Sequence, residues 1–240
     1  MRQDHRPYYI KKLSETLNRV YAERFLYPHF DQVGEGCRLT NPKWFDVNGP
    51  GIRLGDHIHM MATRDNPVRF SVWTDGERAG SIRVGDYCIV LPGARISSAS
   101  GVVLGANCML ASNAYITDAD WHDIYNRNSA PGGSAEVVLE DNVWLGDGVI
   151  VCKGVRIGRN SVAGAGAVVV DDVPANVVVA GNPARIVKEL DPDRELVTRA
   201  TLFEGDMSYE QYLDAFDREI LGRNTLGRWL RSKFVPNRES

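Results

Sequence analysis

The chain has 240 residues, 43% of them hydrophobic and 25% charged, with a net charge of -3 at neutral pH. That balance supports a sizeable core and excludes disorder by composition, and the slight acidity offers no general attraction for nucleic acid or an anionic membrane. No apolar run reaches membrane-spanning length and the opening segment, MRQDHRPYYIKK, has no signal-peptide stretch, so a cytoplasmic chain without an integral membrane segment is expected. Within residues 7–27, Ile10, Leu13, Leu17, Val20, Tyr21 and Phe25 recur at helical spacing. They predict an N-terminal helical cap over residues 1–32, covering the open first turn of a repetitive segment that begins at residue 33.

From residue 33 the period changes to six. Faint runs start at Val33 (then Leu39 and Phe45) and at Leu54 (then Met60), followed by Val84, Val90 and Ile96, and by Leu104, Leu110 and Ile116, the last displaced by two residues. The clearest run is Leu139, Leu145, Val151, Ile157, Ala163 and Val169; four residues after each stands Val143, Val149, Val155, Ser161, Ala167 or Val173, all small or β-branched. Six is neither a helical nor a hairpin period. It suits a short strand and a corner, three of which close a triangular coil whose successive turns stack as parallel strands about 4.8 Å apart. An all-β fold is predicted, a parallel β-helix over residues 33–187. Two stretches break the register, 62–83 and 117–138, and such excursions from a rigid scaffold commonly carry function. Cys37, Cys88 and Cys108 fall at the small-residue position of their hexads and read as core thiols. The four cysteines contain no CxxC pair, so no metal site is expected.

Residues 188–240 predict a C-terminal helical extension. SYEQYLDAFDREILG has a capping Ser208, a helical stripe and a terminating Gly222. The later NTLGRWLRSKFVP mixes Arg228, Arg231 and Lys233 with Trp229, Leu230 and Phe234. It is either a membrane-surface or polysaccharide-binding helix or, more commonly for such a stretch, a helix packed by its apolar side on the body.

Only five histidines occur, and His122 stands alone in the second excursion, within ITDADWHDIYNR. An imidazole there can take a proton from a hydroxyl or amine near neutral pH. Asp118, Asp120 and Asp123 are near enough in sequence to orient it or to bind substrate, and spacing alone does not choose among them. The plain alternative is a loop histidine satisfied by a neighbouring aspartate.

A histidine in the loop leaving the middle coils, then Val143-Trp144-Leu145-Gly146, then Gly181-Asn182-Pro183-Ala184-Arg185, resembles the hexapeptide-repeat acyltransferase family. The likeness is greatest to the sugar O-acetyltransferases of the maltose, galactoside and capsule-modifying types, and it is strong over about residues 84–188. It implies a left-handed coil, acetyl-CoA as co-substrate, a homotrimer with the active site between subunits, and His122 as general base toward a small-molecule or glycan acceptor. Trp144 would line the cleft near the thioester, or else only cover a prism corner. Gly146 and Gly164-Ala165-Gly166 would let the pantetheine arm lie close to backbone, although prism corners need glycines in any case. Arg185 would meet a coenzyme phosphate, or else cap the last coil. Val170-Asp171-Asp172 replaces the Thr-Lys-Asp often seen in this family, and the tail after residue 188 has no counterpart in its small members. N-acetylation of a nucleotide-linked amino sugar is the nearest alternative reaction. A metal-dependent carbonic anhydrase on the same prism would need a histidine cluster that His122 lacks. A non-catalytic scaffold for a protein partner leaves the His122, Trp144 and GNPAR combination unexplained.

Overall fold

The computed structural model describes residues 4–74, 79–128, 132–204 and 209–234. The chain divides into two compact units: Tyr21–Thr198, and Met1–Val20 together with Arg199–Ser240.

The larger unit is a three-faced parallel β-helix. Its first coil runs through Gln32–Val33, Arg38–Thr40 and Phe45–Asn48, one short strand on each face. Five further full coils stack on it in register, ending with Arg156–Ile157, Val162–Ala163 and Val168–Val169. Val173 then bridges to Ile157, and Val177–Ala180 extends the second face. Arg185–Glu189 turns back to pair antiparallel with Val177–Ala180, which closes the growing edge.

The six-residue period works because each coil turns inward one aliphatic residue per face. Leu139, Leu145, Val151, Ile157, Ala163 and Val169 are all buried, and so are the residues four further on, from Val143 to Val173. Each large aliphatic side chain buried this way contributes roughly 1.5–3 kcal/mol over exposure. The two-residue displacement between Ile96 and Leu104 lies in the corner 98–101, so the column of interior side chains continues past it.

Corners impose their own chemistry. Between the first and second faces one residue per coil takes a left-handed backbone: Gly36, His57, Tyr87, Asn107, Asn142, Asn160 and Asn176. Asparagine and glycine tolerate that conformation best, and here the side chains also pair along the stack. Asn142 Nδ2 donates to Asn160 Oδ1 at 3.1 Å and Asn160 Nδ2 to Asn176 Oδ1 at 2.7 Å, while the His57 and Tyr87 rings stack at 5.3 Å. Just inside this corner the thiols of Cys37, Cys88 and Cys108 each donate to a carbonyl of the next coil, on Gly55, Gly105 and Glu140, all at 3.2 Å. The cysteines are free thiols used as small core residues.

Both excursions differ from a simple loop. Residues 68–72 of the first are a regular third-face strand paired with Phe45–Asn48 and Arg95–Ser98, so FSVW belongs mostly to the prism. What leaves the coil is a short segment bridged by Thr74 and Ala79; residues 75–78, the DGER of the predicted turn, lie outside the described residues. The second excursion is closed near its base by a bridge between Ala119 and Ser134.

The smaller unit contains the helices α1 (Tyr8–Tyr21), α2 (Tyr209–Leu221) and α3 (Leu226–Phe234). Asp214 on α2 accepts from the Tyr8 hydroxyl at 2.6 Å, pairs with Lys12 at 2.5 Å and accepts from Arg218 at 2.7 Å; Lys11 pairs with Asp217. Gly222 terminates α2 as expected, its N–H donating to the Arg218 carbonyl at 2.9 Å, and the proposed cap Ser208 lies outside the described residues. No α1 residue is buried, and Leu13 and Leu17 are 56% and 60% exposed. Beyond α1, Leu26 and Phe30 belong to the buried core of the larger unit.

Candidate active site

The loop bearing His122 leaves the third face after Tyr115–Thr117 and returns on the first face at Val137–Leu139. It opens as a backbone ladder: Asp120 N–H donates to Gly133 O at 2.9 Å, Gly132 N–H to Asp120 O at 2.6 Å, and Ala135 N–H to Asp118 O at 2.8 Å. Asp118 anchors this ladder. Its carboxylate is fully buried and accepts from the Ser98 hydroxyl (2.7 Å) and from the N–H groups of Ala99 (2.7 Å), Ser100 (2.8 Å) and Gly101 (2.6 Å). A buried carboxylate is tolerated only with such pairing. The tight corner of the coil below thereby holds the base of the loop.

The other two aspartates also have structural partners. Asp120 pairs with Lys153 from the following coil. Asp123 accepts from the N–H groups of Asn126 (2.7 Å) and Tyr125 (2.8 Å), and those backbone bonds hold its carboxyl below the usual range. Among the described residues, none of the three hydrogen-bonds His122. The ring is oriented by the main chain: His122 Nδ1 lies 3.1 Å from the Arg127 carbonyl oxygen. A carbonyl only accepts, so Nδ1 carries the proton and, in the neutral ring, Nε2 is the acceptor. The exposed imidazole thus offers a basic nitrogen.

The residues expected to hold the coenzyme lie elsewhere on the prism. Trp144 stands on the second face between Met109 and Val162 and is 46% exposed. Gly146 follows it into the corner toward the third face, where a Cβ would meet Ala165 N at 2.7 Å; no other residue fits without moving backbone. Gly148 and Gly166 occupy that corner in consecutive coils, at φ 65° and 70°, with open space where side chains would stand. Ala165 lies exposed between Gly164 and Gly166, and its N–H donates to no other described residue. A narrow arm with amide groups fits such a wall. Arg185 is exposed, pairs with Asp171 at 3.2 Å and donates to its own neighbour's carbonyl on Ala184 at 2.8 Å.

The structure therefore groups Gly146, Gly164, Ala165 and Gly166 near Trp144, and places His122 at a different edge. The second- to third-face corner carries the glycines; the third- to first-face corner carries the histidine. Sequence reasoning missed Gly148, which the eighteen-residue coil period relates to Gly166. It also missed Lys153 and the Arg127 carbonyl, which have no motif to mark them. Among the described residues no group of three histidine, cysteine, aspartate or glutamate side chains is arranged to hold a metal, and no helix is long and apolar enough to cross a membrane.

No family model matches the chain. It is similar to WbbJ of Escherichia coli, named for O-acetyl transfer in lipopolysaccharide biosynthesis, with 33% identity over 177 residues, covering 68% of this chain and 85% of that one. It is 30% identical over 161 residues to the galactoside O-acetyltransferase of Lactococcus lactis, covering 67% of this chain and 64% of the relative. Several curated relatives are spanned over only 44 to 64% of their own length. Among solved structures, a variant of AntD, an N-acyltransferase from Bacillus cereus, superposes with a TM-score of 0.56 at 15% identity, over 80% of this chain and 96% of that one. Periodicity, motifs, coil architecture and these relatives agree: the chain belongs to the hexapeptide-repeat family of left-handed β-helix acetyltransferases.

Proposed function

We propose that the protein moves an acetyl group from coenzyme A to a hydroxyl of a sugar, free or within a surface-polysaccharide precursor, with His122 as general base. The observation that carries this reading is the His122 ring itself: exposed on a loop anchored by Asp118, with Nδ1 committed to the Arg127 carbonyl and Nε2 left as acceptor. The names of the galactoside and lipopolysaccharide relatives support a sugar acceptor.

Acetyl-CoA, when bound, supplies a thioester whose carbonyl carbon is open to attack and whose thiolate is the leaving group. Trp144, Gly146, Gly148, Gly164, Ala165 and Gly166 would hold it, the glycines by offering an uncluttered wall and Ala165 by an unengaged N–H. His122 Nε2 takes the proton of the acceptor hydroxyl as its oxygen attacks. The ring, now cationic, is stabilised by the Arg127 carbonyl at Nδ1–H. It then returns the proton to the departing sulfur, so the products are an acetyl ester and a free thiol and the base is regenerated. Because the histidine and the glycine corner occupy different edges of one prism, we assign the complete site to two adjoining copies, as the homotrimer of this family provides.

Thiol release from acetyl-CoA, measured against a panel of sugars and nucleotide-linked amino sugars, tests the reading. His122→Ala is expected to lose turnover by about 10²–10⁴-fold while still binding coenzyme. Unchanged turnover in that variant would overturn the general-base role. Turnover only on the amino sugars would make the product an amide. Failure to bind coenzyme A at all would favour a scaffold for a protein partner.

A further inference from the structure

One residue before His122 in the chain begins a group of aromatic side chains that the reaction does not use. Trp121, adjacent to the histidine in the chain, meets Trp73 from the other excursion with ring centroids 5.6 Å apart and planes inclined by 47°. Trp121 Nε1–H donates to the Tyr115 hydroxyl at 3.2 Å, and the Arg95 guanidinium lies 4.4 Å over the Tyr115 ring. Two separate excursions, leaving the same prism edge two coils apart, thus converge on one tryptophan pair. Burial does not account for it, since Trp73 remains 59% exposed. Large aromatic surface held in solvent beside a reactive group marks a binding surface.

We infer that Trp73 and Trp121 form a stacking subsite for a second sugar ring of an oligosaccharide acceptor, next to the ring whose hydroxyl His122 deprotonates. The inference rests on the reading of the chain as a sugar-directed acetyltransferase. A pyranose presents an apolar C–H face to an indole and hydroxyls at its rim. Asp120, next to Trp121 in the chain, and its partner Lys153 supply an acceptor and donors for such hydroxyls. Rings inclined by 47° share no common plane, which suits a puckered ring better than a flat base lying parallel to both indoles. The tryptophan pair lies outside the groups that carry the reaction, so the subsite favours chains over monosaccharides.

The test uses the full-length protein with glucose, galactose and N-acetylglucosamine and their two- to four-unit oligomers as acceptors, read as thiol release at saturating acetyl-CoA. The wild type is expected to show a lower KM for oligomers than for the matching monosaccharide. Trp73→Ala and the less disruptive, still apolar Trp73→Leu are both expected to raise the oligomer KM about tenfold, the scale of one aromatic contact, and to erase the length preference. A merely structural Trp73 would lower thermal stability in Trp73→Ala and leave the length preference intact in Trp73→Leu; that result overturns the subsite. On the wild-type protein, saturation transfer from aromatic protons to C–H protons of the non-reacting sugar ring is expected, and its absence also overturns the subsite. If no saccharide of any length is acetylated, the acceptor class falls and the subsite with it. A length preference lacking in the wild type removes the subsite alone.

Discussion

Asp118 and Asp123 lie five residues apart on one loop, and solvent separates their roles. Asp118 is buried beneath four donors, whereas Asp123 only folds the local turn with Tyr125 and Asn126. Asp118→Ala strands those donors in the core and is expected to destabilise the protein by about 3 kcal/mol or more. Turnover is also expected to fall, because the base of the His122 loop is released. A denaturant titration beside steady-state kinetics checks this. If Asp118 oriented His122 directly, kcat would fall with the unfolding midpoint unmoved. All three aspartates were visible in the sequence as neighbours of the histidine. Their different partners were not, because those partners are backbone N–H groups, which leave no mark in a sequence, and a serine and a lysine brought in by coil stacking.

Among the elements, the α1–α2 clasp carries a pH dependence with a definite sign. Lys12 first, then Tyr8 and Arg218, hold the Asp214 carboxyl well below the usual carboxylate range. A folded-state value lowered in this way stabilises the pair at every pH above the ordinary carboxylate value near 4, and the contribution is lost as pH falls below that toward the lowered value. Far-UV circular dichroism during acid titration is expected to show loss of helix only below about pH 4. Asp214→Asn should remove that step and weaken the clasp at neutral pH, and high salt should blunt the difference because the pair is partly exposed. Helical spacing over 7–27 located α1 correctly from sequence. It did not locate its partner: the acidic residues that α1 meets lie about two hundred positions later, and α1's apolar stripe remains exposed.

For the whole molecule, the separation of His122 from the Gly148–Gly166 corner makes subunit mixing informative. Gly166→Tyr is expected to fill the open corner at the cost of some backbone strain, a left-handed conformation that Tyr87 already adopts at φ 59° in another corner of the coil. Alone it should abolish coenzyme binding, as His122→Ala alone should abolish turnover. Co-expressed at equal amounts, the two variants should recover about a quarter of wild-type activity, the random share of interfaces that join an intact histidine to an intact corner. No recovery in the mixture would place both halves of the site in one chain.

The coil was legible in the order of residues alone. A six-residue period with interior aliphatics and left-handed corner residues is a local rule repeated along the chain, and repetition makes it legible without any long-range contact. It also singled out His122, because one histidine stands where the repeat is interrupted, and the glycines, because corners demand them. The tertiary structure decided what repetition cannot encode: that FSVW is a coil strand, that Arg127's carbonyl sets the His122 tautomer, that Lys153 meets Asp120, and that Trp73 meets Trp121. Each of those contacts joins residues through loops of irregular length, and such lengths obey no period. Their partners become neighbours only once the coils have stacked.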